Sequence, residues 1–146
     1  MTVEFFDIRD AERLGEALAI RLRVFVSEQA VPLELEIDEH DKTDREAVHA
    51  LVRDGSATIG TGRFYALDAD CVQIGRMAIL PDRRSLGAGA RLLASLMEEA
   101  RRRGFREARL DAQTQAAGFY RKAGFSDYGE AHWDAGILHQ PMRKAL

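Results

Sequence analysis

Apolar positions along this chain follow two rhythms, one near 3.6 residues and one of two, and the rhythm changes sharply at several turn signals. Val3 to Ile8 predicts a first strand. Asp10 then stands where a helix cap belongs, ahead of a stripe made by Leu14, Leu18, Leu22 and Phe25. From Ser27 to Asp44 the pattern breaks. Pro32 interrupts it, and Glu34, Glu36, Asp38, Glu39 and Asp41 concentrate negative charge, which predicts a loop with a short helical turn. Period two takes over at Ala47: Val48, Ala50 and Val52 share a face, Asp54-Gly55 supplies a tight hairpin turn, and Ala57 to Leu67 runs back. After a second turn at Asp68-Ala69-Asp70, Cys71 to Leu80 is nearly all apolar, broken by Gln73 and Arg76, and predicts a strand covered on both faces. Pro81-Asp82 ends it.

Helical spacing returns in Gly87 to Arg103, where Leu93, Leu96, Met97 and Ala100 fall on one side and Arg101 to Arg103 suit the negative end of the helix dipole. Glu107 to Ala112 reads as a strand, and Ala116, Phe119, Tyr120 and Ala123 as a short helix stopped by Gly124. Two strands, around Asp127 to Asp134 and Ile137 to Arg143, close the chain. The order β-α-β-β-β-α-β-α-β-β contains one strand-helix-strand unit, Cys71 to Ala112, expected as a parallel right-handed crossover. A mixed α/β sheet with helices on both faces, of α+β class, is the fold these elements predict.

The 146 residues carry 21 Lys+Arg against 24 Asp+Glu, a formal charge of -3, with no internal repeat or linker, so one domain spanning 1–146 is expected. That charge excludes sequence-independent nucleic-acid binding, which needs an excess of cations over phosphate. Met1 to Asp10 lacks the basic start and apolar run of a signal peptide, and no segment has membrane-spanning length. Cys71 is the only cysteine, which rules out an intrachain disulfide. Together these predict a cytoplasmic protein with no membrane partner. His40, His49, His132 and His139 have no metal-ligand spacing, so no metal is expected.

Candidate chemistry begins at Arg84-Ser85-Leu86-Gly87-Ala88-Gly89, between a predicted strand and a predicted helix. A helix start leaves about four N–H groups without internal partners and carries roughly half a positive charge, so an anion binds there readily. Gly87 and Gly89 let a ligand approach the backbone, and Arg83, Arg84 and Arg91 add charge at the rim. No Gly-Lys-Ser/Thr run makes a P-loop, and Leu92 and Arg109 stand where a dinucleotide fingerprint needs a glycine and an acid. Taken alone, the glycines are equally explained by a tight strand-to-helix turn.

At this point the chain resembles the GNAT superfamily of N-acetyltransferases. Its acyl-CoA pyrophosphate motif, Gln/Arg-x-x-Gly-x-Gly/Ala, is matched at 84–89, and Arg23-Val24-Phe25-Val26-Ser27-Glu28-Gln29, Ile74-Gly75-Arg76-Met77-Ala78, Ala112-Gln113, Phe119-Tyr120, Gly124-Phe125 and Gly136-Ile137-Leu138-His139 with Met142 resemble the ElaA-like branch. The resemblance implies a GNAT fold, a mixed sheet of about seven strands with about four helices, and acetyl-CoA as cofactor. It implies that Met77, Ala78 and Ile79 pair with the pantetheine arm through their backbone. Arg84, Ser85, Leu86, Gly87, Ala88, Gly89 and Ala90 would hold the pyrophosphate, and Tyr120 would both touch the cofactor and protonate the departing thiolate. Two departures stand out: Ser85 where glycine is common, and Gln113 where an asparagine often contacts pantetheine. A homodimer is a further implication of the resemblance.

An alkyl amine, with a pKa of about 10.4, must lose a proton before it can attack. Glu28, Glu36, Asp38, His40, His49 and His139 are the candidate bases, with Glu36 and His139 placed in the catalytic set beside Tyr120. A backbone N–H of the fourth strand is a candidate oxyanion donor. Each has a plain reading too: Tyr120 as core, the histidines as structural, and the Glu34 to Asp41 acids as a solvated face. In the GNAT arrangement that acidic stretch lies near the acceptor, which points to a small cationic primary amine attacking directly in a ternary complex. Cys71, with no local base, is expected to be inert packing. A non-catalytic CoA-binding regulatory module and a protein or peptide amine acetyltransferase are the alternatives.

Overall fold

A computed structural model describes residues 1–31, 37–41 and 46–146. Among these, eight strands form one sheet: β1 (Thr2–Phe6), β2 (Val48–Asp54), β3 (Ala57–Ala66), β4 (Cys71–Ile79), β5 (Glu107–Gln113), β6 (Ser126–Asp127), β7 (His132–Asp134) and β8 (Ile137–Ala145). The spatial order is β1-β2-β3-β4-β5-β8-β6, and β7 also pairs with β8. All neighbours are antiparallel except β4 and β5. The parallel pair is the one expected across the helix α2 (Ala88–Arg102). The expected last-but-one strand, Asp127 to Asp134, is two short pieces, β6 and β7. Gly129, at φ 65°, lies in the gap between them.

Alternation along β2 assigns the faces. Ala50 and Val52 belong to the main core with Leu92, Leu93, Leu96 and Ala100 of α2, whereas Leu51 joins Phe6 and Ala17 of α1 (Ala11–Arg21) on the other face. Asp10 caps α1 as expected, its side chain accepting from the Arg13 N–H at 3.1 Å. The predicted stripe is displaced, however. Ala17, Ile20, Arg21 and Val24 are the buried positions, and Leu22 is exposed. After Arg21 the helix continues as a π-helix, Leu22–Glu28, whose wider turn changes the register of everything beyond it.

β4 and β5 pair only at Cys71↔Glu107, Val72↔Ala108 and Gln73↔Arg109, although both strands continue. The cause lies on the other side of β4. Opposite β3, the register jumps from Arg63↔Gly75 to Thr61↔Ala78, so Arg76 and Met77 face a single β3 residue. Arg76 takes a left-handed φ of 50°, and this bulge turns β4 away from β5. The rest of β4 is therefore not the doubly covered strand expected: Gly75, Arg76, Met77 and Ile79 are only partly buried and border the opening.

Candidate active site

The opening between β4 and β5 is a cavity of about 630 Å³. On one side lies β4 from Gln73 to Ile79, whose edge toward β5 makes no ladder beyond Gln73. Of the residues expected to hold the cofactor, Met77, Ala78, Ile79, Arg84, Gly87, Gly89, Ala90, Gln113 and Tyr120 line this cavity, as does His139 of the catalytic set. Ser85 and Leu86 are exposed and do not line it, and the Ala88 side chain is buried in the main core. Glu36 lies outside the described residues.

The segment before α2 is itself ordered as a 3₁₀-helix, Pro81–Leu86, ended by Gly87 at φ 76°. That left-handed residue reverses the chain into α2 at no steric cost, because it lacks a Cβ. The first helical bond of α2 is Arg91 N–H to Gly87 O at 3.1 Å, so the amides of Ala88, Gly89 and Ala90 precede any intrahelical acceptor. A Cβ built on Gly87 meets nothing within 4 Å, and one on Gly89 only Phe119 at 3.5 Å and the margin of Ile79. Neither glycine is required by internal crowding. The open backbone fits the diphosphate of an acyl-CoA, and the unladdered β4 edge fits an extended amide-bearing arm.

Tyr120 lies on helix α3 (Ala117–Lys122), edge-on to Phe119 and Phe125, with its hydroxyl donating to Met77 Sδ at 4.0 Å. Burial pushes its phenol up to about 12. The phenol is therefore protonated at neutral pH and able to donate. His139 on β8 sits opposite Gln113 of β5, with Nδ1 2.8 Å from the Ile137 carbonyl. A carbonyl can only accept, so Nδ1 bears the hydrogen and Nε2 of the neutral ring keeps its lone pair.

The other candidate bases are committed elsewhere. Glu28 receives both Arg84 Nη atoms at 2.6 and 2.7 Å, and that guanidinium lowers its pKa. Asp38 is half-buried; desolvation alone would raise its pKa, but hydrogen bonds from Arg63 at 2.8 and 2.5 Å leave it lowered. His49 is buried with Nε2 3.2 Å from His40 O, and desolvation lowers its pKa, so it is neutral. His40 stacks on Tyr65 with ring centroids 3.6 Å apart. Cys71 is buried with its thiol pushed up to about 11 by desolvation, a poor nucleophile.

Sequence reasoning missed the buried ion cluster beside this cavity. Asp41 takes a two-point contact from Arg21 at 2.6 and 2.9 Å and a third from Arg63 at 3.0 Å, and Arg76 reaches Asp38 at 3.4 Å. Two members of the acidic stretch are thus internal counterions, not a solvated face. Asp111 and Asp134, which also line the cavity, escaped notice because each stands singly in an ordinary strand pattern. Gln113 lines the cavity with partners that its sequence position did not announce. It donates to Gln29 Oε1 and accepts from Gln115 Nε2, both at 2.7 Å.

A mixed sheet split between two parallel strands, with a glycine-opened helix start and a buried tyrosine at the split, defines an acyl-CoA N-acyltransferase fold. The acetyltransferase (GNAT) domain family matches residues 11–146, and the chain belongs to it. Its members move an acyl group from acyl-CoA to an amine, and this protein is an N-acetyltransferase. It is 38% identical over 137 residues to the "Uncharacterized N-acetyltransferase YjcF" of Bacillus subtilis (strain 168), covering 93% of this chain and 95% of that one. The structure superposes on an acyl-CoA N-acyltransferase from Pseudomonas aeruginosa with a TM-score of 0.86 at 25% identity, covering 99% and 100% of the two chains. Escherichia coli ElaA has the same fold, with a TM-score of 0.86 at 24% identity and 98% coverage of each chain. No helix among the described residues is long and apolar enough to cross a membrane.

Proposed function

We propose that residues 1–146 form one domain that transfers acetyl from acetyl-CoA to a small cationic primary amine in the cytoplasm, by direct attack in a ternary complex. The observation that carries this reading is the split between β4 and β5, which joins the open amides of α2, the unladdered β4 edge and Tyr120 in one cavity. The amides of Ala88 to Ala90 would hold the diphosphate, and Met77 to Ile79 would pair with the arm. When bound, acetyl-CoA supplies an activated acyl group and a thiolate leaving group.

Tyr120 delivers a proton to the departing sulfur, for which its burial and raised pKa suit it. His139 Nε2 or Glu36, directly or through water, accepts the proton of the amine. Attraction for a cation rests on Asp111 and Asp134, since Asp38 is already satisfied by Arg63.

Gly89→Ala tests the cradle. The new methyl makes only ordinary contacts within the protein, and alanine favours the helix by up to about 1 kcal/mol, so the fold is kept or strengthened. CoA affinity, measured by calorimetry, is expected to fall at least fivefold. Unchanged affinity would reduce the glycines to a tight turn. Thiol release with polyamines, amino sugars and lysine peptides then ranks the acceptors, and turnover confined to neutral or anionic acceptors would reject the cationic class.

A further inference from the structure

Two neighbouring residues at the end of the π-helix reach across the cleft to its two opposite walls. Glu28 grips Arg84, on the 3₁₀ turn that follows β4, through both Nη atoms. Gln29 accepts from Gln113, the last residue of β5. Arg84 follows β4 and Gln113 ends β5, so the two side chains belong to opposite sides of the split. Both are also tied within their own walls, Arg84 by Nε to Ile79 O at 3.0 Å and Gln113 by Gln115 at 2.7 Å.

The π-helix explains how adjacent residues come to serve opposite walls. Gln29 N–H bonds to Val24 O at 3.1 Å, an i to i−5 closure, while Phe25 O receives Val31 N–H at 2.8 Å after Ala30 swings to φ 58°. An uninterrupted α-helix would instead have bonded Gln29 to Phe25 and carried the chain onward along its axis. Single π turns inside α-helices recur at functional sites, and here the interruption ends on the cleft.

We infer that Glu28 and Gln29 are positioning residues: a two-point clasp, presented by the π-helix, that sets the separation of the β4 and β5 walls and so shapes the cleft for its acyl-CoA before that molecule arrives. This rests on the acyl-CoA reading of the cleft. The clasp makes Arg84 a structural member of the wall whose fork is spent on Glu28, with the backbone amides of α2 left as the principal diphosphate donors. It also gives α1, through the π-helix that continues it, a direct mechanical connection to both walls.

The test is a double-mutant cycle on the full chain, with CoA binding read by calorimetry. Glu28→Gln is expected to weaken CoA binding about tenfold, as loss of preorganisation does, and Arg84→Gln in that background to add no more than about twofold. Gln29→Ala is expected to weaken binding about threefold or more by releasing the other wall. If Arg84 instead holds phosphate directly, Glu28→Gln leaves affinity unchanged or improves it, Arg84→Gln costs the same in both backgrounds, and the clasp is overturned.

A second readout needs no ligand. In CoA-free Glu28→Gln, hydrogen exchange at Arg83 and Arg91, whose amides bond to Leu80 and Gly87 oxygens at 2.9 and 3.1 Å, should quicken at least threefold while amides in β2 stay unchanged. Unaltered exchange at both positions would also overturn the clasp. Wild-type protein that binds no CoA while showing the exchange response would count against the acyl-CoA reading, and leave the clasp standing.

Discussion

Tyr120 combines a hydroxyl that has lost most of its water with a partner, Met77 Sδ, that is a soft and weak acceptor. Such a group is cheap to delete structurally, because little hydrogen-bond energy is lost with it. Tyr120→Phe is therefore expected to change stability by less than about 1 kcal/mol while lowering kcat about a hundredfold or more, with CoA affinity preserved. Because desolvation raises the phenol to about 12, the protonated form dominates at every pH below that value. An alkaline fall in activity near pH 9 or 10 would belong to another group and would survive in Tyr120→Phe. A pH–rate profile of both proteins checks this, and an alkaline limb that vanishes in the variant would remove Tyr120 from the acid role. Asp38, which lines the same cavity, shows the opposite logic: hydrogen bonds and charge from Arg63 hold its pKa below the ordinary carboxylate value despite its burial.

Among the elements, the β7–β8 hairpin carries a visible local cost. Its turn residues, Ala135 and Gly136, have φ of 52° and 77°, and two positive values in a two-residue loop call for Asn-Gly. Ala135→Asn is expected to stabilise the protein by about 0.5–1 kcal/mol, read as a rise in urea midpoint with unchanged slope. The turn was legible in the sequence only as Gly136, since alanine gives no sign of a left-handed conformation. Much else was legible. The Asp54-Gly55 hairpin, the Asp10 cap, the α2 stripe and the parallel pairing across it all follow from local pattern. Glycines at 87 and 89 marked the uncrowded start of α2 for the same local reason. Missing were features made by long-range contact: the β4 bulge, which depends on the β3 register; the π-helix, whose sequence reads as ordinary helix; and the burial of Arg21, which no periodicity announces in a charged residue. Glu28 and Gln29 were readable as a motif, but their reach to Arg84 and Gln113 spans 56 and 84 residues.

Across the whole molecule, the Arg21, Asp41, Arg63, Asp38 and Arg76 cluster ties α1, the 38–41 segment, β3 and the β4 bulge together at one side of the cavity. Burial by itself would raise the Asp41 pKa, yet the fork from Arg21, its charge, the Asp38 amide and Arg63 bring it down to about 2. The unfolded carboxylate titrates near 3.8, so below that pH the unfolded chain binds a proton the folded one refuses. Stability supplied by Asp41, on the order of 2 kcal/mol, is complete above the unfolded value and disappears as pH falls from about 4 to 2. His49 adds a gentler slope of the same sign: desolvation lowers its folded pKa, so the unfolded chain is favoured as pH drops below 6.5. The urea midpoint should therefore be level between about pH 7 and 8, decline slightly toward pH 5, and fall steeply below 4. Asp41→Asn removes the carboxylate charge shared by the buried Arg21 and Arg63 and is expected to cost about 3–5 kcal/mol at neutral pH, while flattening the acid limb. If the variant kept the wild-type steepness between pH 4 and 2, the acid sensitivity would have to come from the surface carboxylates, and the cluster would be an ornament of the wall instead of its anchor.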